Sequence, residues 1–243
     1  MITDGEAAGE RSGAGGPDGS GRGSPGRRRL LVAGGAAVTL GVGGVLARGP
    51  LERLWWRYGA QDVARTEGEV DHPGAEWVPA SAANYRRANR PRDYPVDRVV
   101  IHMPEATYDV TLRVFQDPSH EAAAHYVVRS EDGHVAQMVR ELDVAYQAGN
   151  RAFNERSVGI EHEGWADDPS YLTDTLYESS ARLVAGICGR YGIPVDRQHI
   201  VGHNEVPDVV RICPGPHWDW DRYMELVRAA AGAGSGAGAD AEA

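Results

Sequence analysis

The chain has 243 residues, two cysteines and a formal net charge of -10 at pH 7. This length allows one full α/β domain with some residues left over for a tail or linker, so we expect a single folded domain. An acidic chain lacks the basic face or stripe of a nucleic-acid-binding protein, and we expect no nucleic-acid partner. Two cysteines allow at most one bridge, which excludes a disulfide-rich scaffold.

The N-terminal segment predicts export. Residues 1–26 are rich in Gly, Ser, Asp and Glu and have almost no large apolar side chain, so we expect them to be disordered. Three arginines at 27–29 then precede an uncharged apolar run that ends at Ala47, and this order resembles a twin-arginine export signal. An uncleaved membrane anchor is the alternative, although the many glycines make a poor stop-transfer segment. Either interpretation of residues 1–47 places the folded domain outside the cytoplasm.

Composition also sets the limits of the domain. Residues 48–78 have the composition of a linker, with some helical potential around Trp55 and Trp56. The folded domain is predicted to span residues 79–231. The remaining residues, 232–243, are rich in Gly, Ala and Ser, and we expect no structure in that tail.

The domain alternates predicted strands with helices, which indicates an α/β or α+β fold with a central mixed sheet flanked by helices. Strands are predicted where β-branched residues cluster or alternate, and helices where apolar residues recur at helical spacing. The predicted strands cover residues 97–102, 125–128, 135–139, 157–163 and 199–201, and the predicted helices cover residues 109–116, 176–191 and 219–230. Asp132 and Gly133 predict a hairpin turn, and Gly192 before Pro194 predicts a helix end.

Two side chains in these elements have an ordinary explanation. Cys188 lies in the apolar stripe of its helix, so we expect it to be a core residue rather than a reactive one. Glu161 lies in a strand whose Val158 and Ile160 share the other face, so it points away from an apolar face. Taken by itself, such a glutamate is most often a solvated carboxylate.

Three other side chains fall where metal sites are often built. His102 and His203 each follow a predicted strand, and Cys213 lies in a Pro/Gly-rich loop over residues 212–216. Loops anchored on strand ends carry many functional sites. Two imidazoles and one thiolate form a sensible zinc set, and three protein ligands leave the fourth position for water, which is the pattern of a catalytic site. We therefore predict Zn²⁺ as the cofactor.

Six ordered segments of the chain resemble a known family. They are VIH at 100–102, AHYVV at 124–128 with DG at 132–133, AYQAG at 145–149, NERSVGIEHEG at 154–164, VGH at 201–203 and CPGPHW at 213–218. Together they resemble the type-2 N-acetylmuramoyl-L-alanine amidases, which share a fold with peptidoglycan recognition proteins and phage amidase lysozymes. The resemblance covers roughly residues 99–220 and implies that fold for this chain.

The resemblance also implies roles for individual residues. His102 and His203 match the two histidine ligands of the family, and Cys213 matches the third ligand. Glu161, in the Gly-Ile-Glu segment, matches the catalytic glutamate. Arg211 stands where a lysine is common two positions before the third ligand, and its guanidinium keeps the positive charge for stabilising an oxyanion.

Substrate contacts at His125 and Asn154 are implied in the same way. The chain departs from the family pattern at two further positions. Ala124 stands where some branches have a catalytic tyrosine, which leaves Glu161 as the residue for proton transfer. Gln147 stands where a histidine is common, so we carry no substrate contact over to it.

By this resemblance the protein is a zinc-dependent hydrolase that cleaves the amide bond between N-acetylmuramic acid and L-alanine in peptidoglycan. We expect peptidoglycan or muropeptides as partners, a monomeric state, secretion or attachment to the cell wall, and membrane contact only through an uncleaved N-terminal segment. The alternative is a non-catalytic peptidoglycan-binding module, which needs neither an open metal site nor a base. A zinc peptidase is a third candidate, but the chain has no His-Glu-x-x-His motif.

Overall fold

The computed structural model describes residues 64–237. The predicted disordered segment, the export signal and the first part of the linker fall in residues 1–63 and lie outside the described residues. Residues 238–243 of the predicted tail lie outside them as well. Within residues 64–237, no helix combines the length and the apolar character needed to cross a membrane.

All the strands and helices predicted from the sequence are present, together with several short ones that were not predicted. The strands are β1 Glu76–Trp77, β2 Tyr85–Arg86, β3 Arg98–His102, β4 Tyr126–Val128, β5 Val135–Gln137, β6 Val144–Ala145, β7 Ser157–His162 and β8 Ile200–Gly202. The helices are α1 Tyr108–Gln116, α2 Arg151–Arg156, α3 Asp174–Tyr191 and α4 Trp220–Ala237. Short 3-10 helices cover Pro169–Tyr171 and His203–Glu205.

The main sheet is mixed, with the strand order β1-β5-β4-β7-β3-β8. Strand β3 pairs in parallel with both β7 and β8, and β4 pairs in parallel with β7. Strand β5 is antiparallel to β4, as the predicted hairpin requires, and β1 is parallel to β5. Strands β2 and β6 form a separate antiparallel pair. A central mixed sheet with helices confirms the predicted fold class.

The central strands β3 and β7 are buried on both faces, as is usual for parallel strands. Ile101 and Ile160 lie in the main core together with residues of α3 and α4. Val100 belongs to a separate cluster of buried residues. Side chains alternate along a strand, so His102 lies on the face of Val100. Glu161 is the cross-strand partner of His102 in the β3 and β7 register, so both lie on the face that α3 and α4 leave uncovered.

Helix α3 is delimited by two capping residues. The Thr173 hydroxyl accepts a hydrogen bond from the backbone N–H of Leu176 at 3.1 Å, which satisfies one free N–H of the first turn. Gly192 ends the helix with φ 66°, a left-handed conformation that suits glycine. Between these ends Cys188 is buried in the main core, which confirms the prediction that it is a core residue.

The domain begins before the predicted start at residue 79, because residues 64–78 pack against it. Strand β1 pairs with β5 at the edge of the sheet. The Asp71 carboxylate accepts hydrogen bonds from the Arg140 guanidinium at 2.8 and 3.0 Å and from the backbone N–H of Glu141 at 2.7 Å. The prediction of a linker over 48–78 is therefore wrong for its described part, since polar contacts of this kind leave no apolar pattern in the sequence.

The end of the domain also differs from the prediction. Tyr223 and Val227 of α4 are buried in the main core, and the helix continues to Ala237. Residues 232–237, which we expected to be an unstructured tail, are therefore helical, and the predicted domain end at 231 is wrong. Residues 232–237 contain three glycines, which are poor helix formers, so helix propensity does not explain why the helix continues past residue 231.

Candidate active site

The three predicted metal ligands meet at one end of the sheet. His102 is the last residue of β3, His203 follows β8, and Cys213 lies in the loop before α4. Because β3 and β8 are adjacent parallel strands, their carboxyl ends bring the two histidines to the same edge. One ligand atom from each of the three residues lies within 4.8 Å of the other two, and all three residues are buried.

Hydrogen bonds fix which nitrogen of each histidine carries the proton. His102 Nε2 is 2.5 Å from the side-chain oxygen of Gln147, and His203 Nε2 is 3.2 Å from the carbonyl oxygen of Ala148. Both oxygens only accept hydrogen bonds, so both Nε2 atoms donate and both Nδ1 atoms present lone pairs. The two Nδ1 atoms are 2.9 Å apart, and Cys213 Sγ is 3.4 Å from His203 Nδ1. Facing lone pairs repel, and a cation between them would turn that repulsion into coordination.

Burial sets the protonation of the three groups. It lowers the pKa of His102 well below its usual value, with a further contribution from His203, and it lowers the pKa of His203 to about 4. Both imidazoles are therefore neutral near pH 7. Burial also raises the pKa of the Cys213 thiol to about 11, so a nearby cation would be needed to deprotonate it. Two neutral imidazoles and a sulfur fit the donor set that Zn²⁺ prefers.

Glu161 is not the solvated carboxylate that a lone strand glutamate suggests. Glu161 is only 9% exposed, and its Oε2 atom has no hydrogen-bond partner among the described residues. Burial raises the pKa of this carboxyl to about 8, and the charge of Glu105 acts in the same direction. A carboxyl that exchanges its proton near neutral pH is suited to general acid and base chemistry.

A cavity of about 340 Å³ opens at these side chains. It is lined by the three candidate ligands, Glu161, Glu105 and Arg211, and by apolar side chains that include Phe115, Tyr146 and Ile212. Arg211 is exposed, and its guanidinium donates a hydrogen bond of 3.0 Å to the carbonyl oxygen of Val210. Within residues 64–237 it makes no ion pair, so its charge is available to a bound group.

His125 and Asn154 lie elsewhere, and the prediction that they contact the substrate is corrected. His125 is fully buried and does not line the cavity, and its Nδ1 accepts a hydrogen bond of 3.0 Å from the backbone N–H of Gly159 in β7. Asn154 does not line the cavity either. Its side-chain oxygen accepts hydrogen bonds from the backbone N–H groups of Gln147 and Ala148 at 3.1 and 2.7 Å. Both residues support the elements that carry the site.

Two residues of the site were not predicted. Gln147 orients His102 through the hydrogen bond described above, and the sequence showed only that it departs from the family pattern. Glu105 lines the cavity three residues after His102, with a left-handed φ of 55°. Its place just beyond a strand that ends in a candidate ligand was the signal that could have identified it.

The known proteins with similar sequences are all named as amidases. The sequence profile of the N-acetylmuramoyl-L-alanine amidase family matches residues 92–216. N-acetylmuramoyl-L-alanine amidase A of Achromobacter lyticus is 33% identical over 180 residues, which cover 65% of this chain and 96% of that protein. The 1,6-anhydro-N-acetylmuramyl-L-alanine amidase AmpD of Haemophilus influenzae is 32% identical over 112 residues, which cover 44% of this chain and 59% of that protein.

Solved structures agree with the sequence comparison. The crystal structure of a selenomethionine derivative of AmpD superposes with a TM-score of 0.55 at 25% identity, over 68% of this chain and 99% of that one. A mutant structure of PlyL superposes with a TM-score of 0.50 at 14% identity, over 63% of this chain and 98% of that one. The second similarity is one of fold alone. Both place the sheet and its helices in the same architecture.

Proposed function

The chain belongs to the type-2 N-acetylmuramoyl-L-alanine amidase family, and from this membership we propose that it is a zinc-dependent hydrolase that cleaves the amide bond between N-acetylmuramic acid and L-alanine. The observation that carries the zinc requirement is the pair of imidazole lone pairs that face each other beside the Cys213 sulfur. Glu161 lines the cavity beside these ligands, and its buried Oε2 atom has no hydrogen-bond partner among the described residues. A non-catalytic binding module gives no reason for this combination.

Zinc bound by His102, His203 and Cys213 would supply a Lewis acid for the scissile carbonyl and for the attacking water, with one coordination position left open by the protein. The protein must provide the remaining chemistry. An amide has a poor leaving group, so hydrolysis needs a base for the water, a proton for the departing amine and a positive charge near the carbonyl oxygen. The cavity has a residue for each need.

Glu161 is the proposed proton carrier. Its carboxylate accepts a proton from the water as the oxygen attacks the carbonyl carbon, and the resulting acid donates that proton to the nitrogen as the C–N bond breaks. The residue lies beside His102 in the register of the sheet, so it acts where the ligands converge. Arg211 contributes guanidinium donors toward the negative charge that develops on the carbonyl oxygen.

Substrate and location follow from other features of the chain. The amidase names of the relatives support peptidoglycan or muropeptides as the substrate class. The three arginines and the apolar run over 27–47 support export, with the domain secreted or attached to the cell wall. We propose a monomer as the active species, since one chain supplies all three ligands and the carboxylate.

The test combines metal analysis with a defined muropeptide. Zinc-loaded full-length protein is expected to release a peptide that begins with L-alanine, and mass spectrometry of the products identifies the bond cut. Glu161→Gln is expected to bind zinc as the parent does and to lose about 10²- to 10⁴-fold in kcat, the usual contribution of general acid and base catalysis. Glu121→Gln is the matched control, because Glu121 is exposed and does not line the cavity.

Three outcomes would contradict the proposal. If chelation of zinc leaves the rate unchanged, the metal has no part in the reaction. If Glu161→Gln hydrolyses the muropeptide at a near-normal rate, the proton carrier is a different group. Cleavage between other residues of the stem peptide would indicate a peptidase instead of an amidase.

A further inference from the structure

Glu105 has a backbone conformation that side chains other than glycine seldom adopt. Its φ is 55°, in the left-handed region, and it lies three residues after His102 at the end of β3. Such conformations persist only where the surroundings impose them, and they cluster at functional sites. The Glu105 side chain lines the same cavity as the candidate ligands and Glu161.

The surroundings of Glu105 hold both its backbone and its carboxylate. Its neighbour Ala106 exchanges two backbone hydrogen bonds with Gly164, at 3.2 and 3.1 Å. One carboxylate oxygen of Glu105 accepts a hydrogen bond of 3.0 Å from the backbone N–H of Ala166. Within residues 64–237 the carboxylate forms no ion pair. Glu105 is therefore a fixed negative charge at the cavity with no cationic partner of its own in the described part of the chain.

A second carboxylate shares the cavity with Glu105. Glu161 is nine-tenths buried and lines the cavity, and its Oε2 atom has no hydrogen-bond partner among the described residues. Glu105 and Glu161 therefore bring two carboxyl groups to this cavity, and Arg211 brings one guanidinium.

Amide hydrolysis produces two charged groups, and the cavity has a side chain of opposite charge for each of them. Oxygen from water joins the acyl carbon, and the C–N bond breaks as one water proton passes through Glu161 to the nitrogen. The second water proton leaves the new carboxylic acid and ends on the amine. The products at neutral pH are a carboxylate on the lactyl group and an ammonium on the L-alanine of the peptide. Arg211 suits the first group, and a carboxylate that faces the cavity suits the second.

We propose that Glu105 is the recognition residue of the amine subsite, where its carboxylate accepts a hydrogen bond from the scissile N–H and then pairs with the α-ammonium of the released peptide. This inference rests on the proposed amidase function and adds a residue for the leaving-group side of the bond. Glu161 moves the proton, whereas Glu105 holds the nitrogen that receives it. The anchor to Ala166 fixes the direction of the Glu105 carboxylate before the substrate binds.

The subsite can be tested by equilibrium binding without turnover. Isothermal calorimetry on zinc-loaded full-length protein compares a stem peptide that begins with a free L-alanine amine with the same peptide carrying an N-acetyl group. The parent is expected to bind the free amine about tenfold more tightly, as one charge-assisted contact allows. Glu105→Gln is expected to lose this preference while it keeps the zinc content and melting temperature of the parent.

Glu121→Gln provides a closely matched control. Glu121 also has a left-handed backbone, with φ 58°, and it is exposed next to Ala122, which lines the cavity. This variant is expected to keep the full preference for the free amine. The glutamine in both variants preserves side-chain size, so a difference between them reports the position of the charge.

Several results would overturn the subsite. It is contradicted if the parent binds both peptides equally, if Glu105→Gln keeps the preference of the parent, or if Glu121→Gln loses it as well. Failure to hydrolyse a muropeptide would contradict the proposed function instead. The two tests are independent, because the preference between peptides is measured on binding alone.

Discussion

At the scale of single residues, Gln147 shows how the protein prepares a ligand. Its side-chain oxygen accepts the hydrogen bond from His102 Nε2 at 2.5 Å, and its side-chain nitrogen donates to Ser157 Oγ at 2.8 Å. The Ser157 hydroxyl donates in turn to the carbonyl oxygen of Phe153 at 2.5 Å. Because this series of hydrogen bonds assigns every donor, the side-chain oxygen of Gln147 has to face His102. The imidazole is thereby held with its Nδ1 lone pair directed at the other ligands.

Removal of this acceptor should weaken metal binding more than folding. Gln147→Ala is expected to lower zinc affinity about 10- to 100-fold, the usual effect of losing a hydrogen-bond partner behind a ligating histidine. Competition with a chromophoric chelator measures the affinity, and Gln198→Ala at an exposed position is the control. Equal affinity of Gln147→Ala and the parent would show that the His102 ring needs no acceptor to stay oriented.

Candidate ligands were predictable at this scale because their positions are marked in the sequence. His102 and His203 follow apolar strands, and Cys213 lies in a loop rich in Pro and Gly. Gln147 carries no such mark, since its role depends on which segment faces it in the folded chain, and Glu105 is marked only by its place just beyond β3. The expectation for His125 failed for the same reason. The motif around it lies in the right segment, but the ring points into the protein and supports β7 instead of a substrate.

At the scale of elements, the loop that carries Cys213 depends on one close approach. Gly215 has φ 92°, and a Cβ there would clash with the carbonyl group of Ala166. Ala166 in turn donates its N–H to Glu105. The ligand loop, the segment after β7 and the Glu105 turn are therefore in mutual contact, and a shift in one is transmitted to the others.

A side chain at Gly215 should disturb this contact. Gly215→Ala is expected to destabilise the protein by about 2 kcal/mol and to weaken zinc binding, because both the backbone conformation and the packing oppose a Cβ. Gly189→Ala in α3 is the matched control, since a Cβ there meets nothing within 4 Å, and it should stabilise the protein by about 0.5 to 1 kcal/mol. Urea unfolding measures both changes. Equal stability of the two variants would contradict the prediction.

The elements differ in how far the sequence determines them. Strands β3 and β7 and helix α3 were predictable because a buried apolar run or stripe marks each of them. Strands β1, β2 and β6 have two residues each and exist only through pairing with a partner strand. Helix α2 has no buried residue, so its sequence shows no apolar periodicity. These short elements could not be recognised without the tertiary structure.

At the scale of the whole molecule, buried neutral histidines link stability to acid. Burial, together with the charge of Arg90, lowers the pKa of His125 to about 3. In the unfolded chain the same ring has an ordinary pKa near 6.5. Between that pH and the folded-state pKa, the ring is therefore protonated in the unfolded state and neutral in the folded state. Stability is unaffected by this group above pH 6.5 and falls as the pH drops from about 6.5 to about 3.

This linkage predicts a measurable slope. The free energy of unfolding of the chelated protein is expected to fall with decreasing pH, and His125 alone should contribute up to about 1.4 kcal/mol per pH unit. His125→Asn should show a lower free energy at pH 7.5 and a slope that is smaller by about one proton. Urea unfolding at several pH values between 7.5 and 4.5 gives both slopes. Equal slopes for the two proteins would mean that His125 is protonated in the folded state.

Zinc should stabilise the whole domain, because its ligands come from β3, from the segment after β8 and from the loop before α4. Zinc at about 100 times its dissociation constant adds about 2.7 kcal/mol to the free energy of unfolding, which raises the melting temperature by roughly 5 to 10 °C in a domain of this size. Differential scanning fluorimetry measures the shift. Glu161→Gln should keep it, since it retains all three ligands, whereas Cys213→Ala should lose most of it. A full shift in Cys213→Ala would place the ion at a different site and would remove the sulfur from the ligand set.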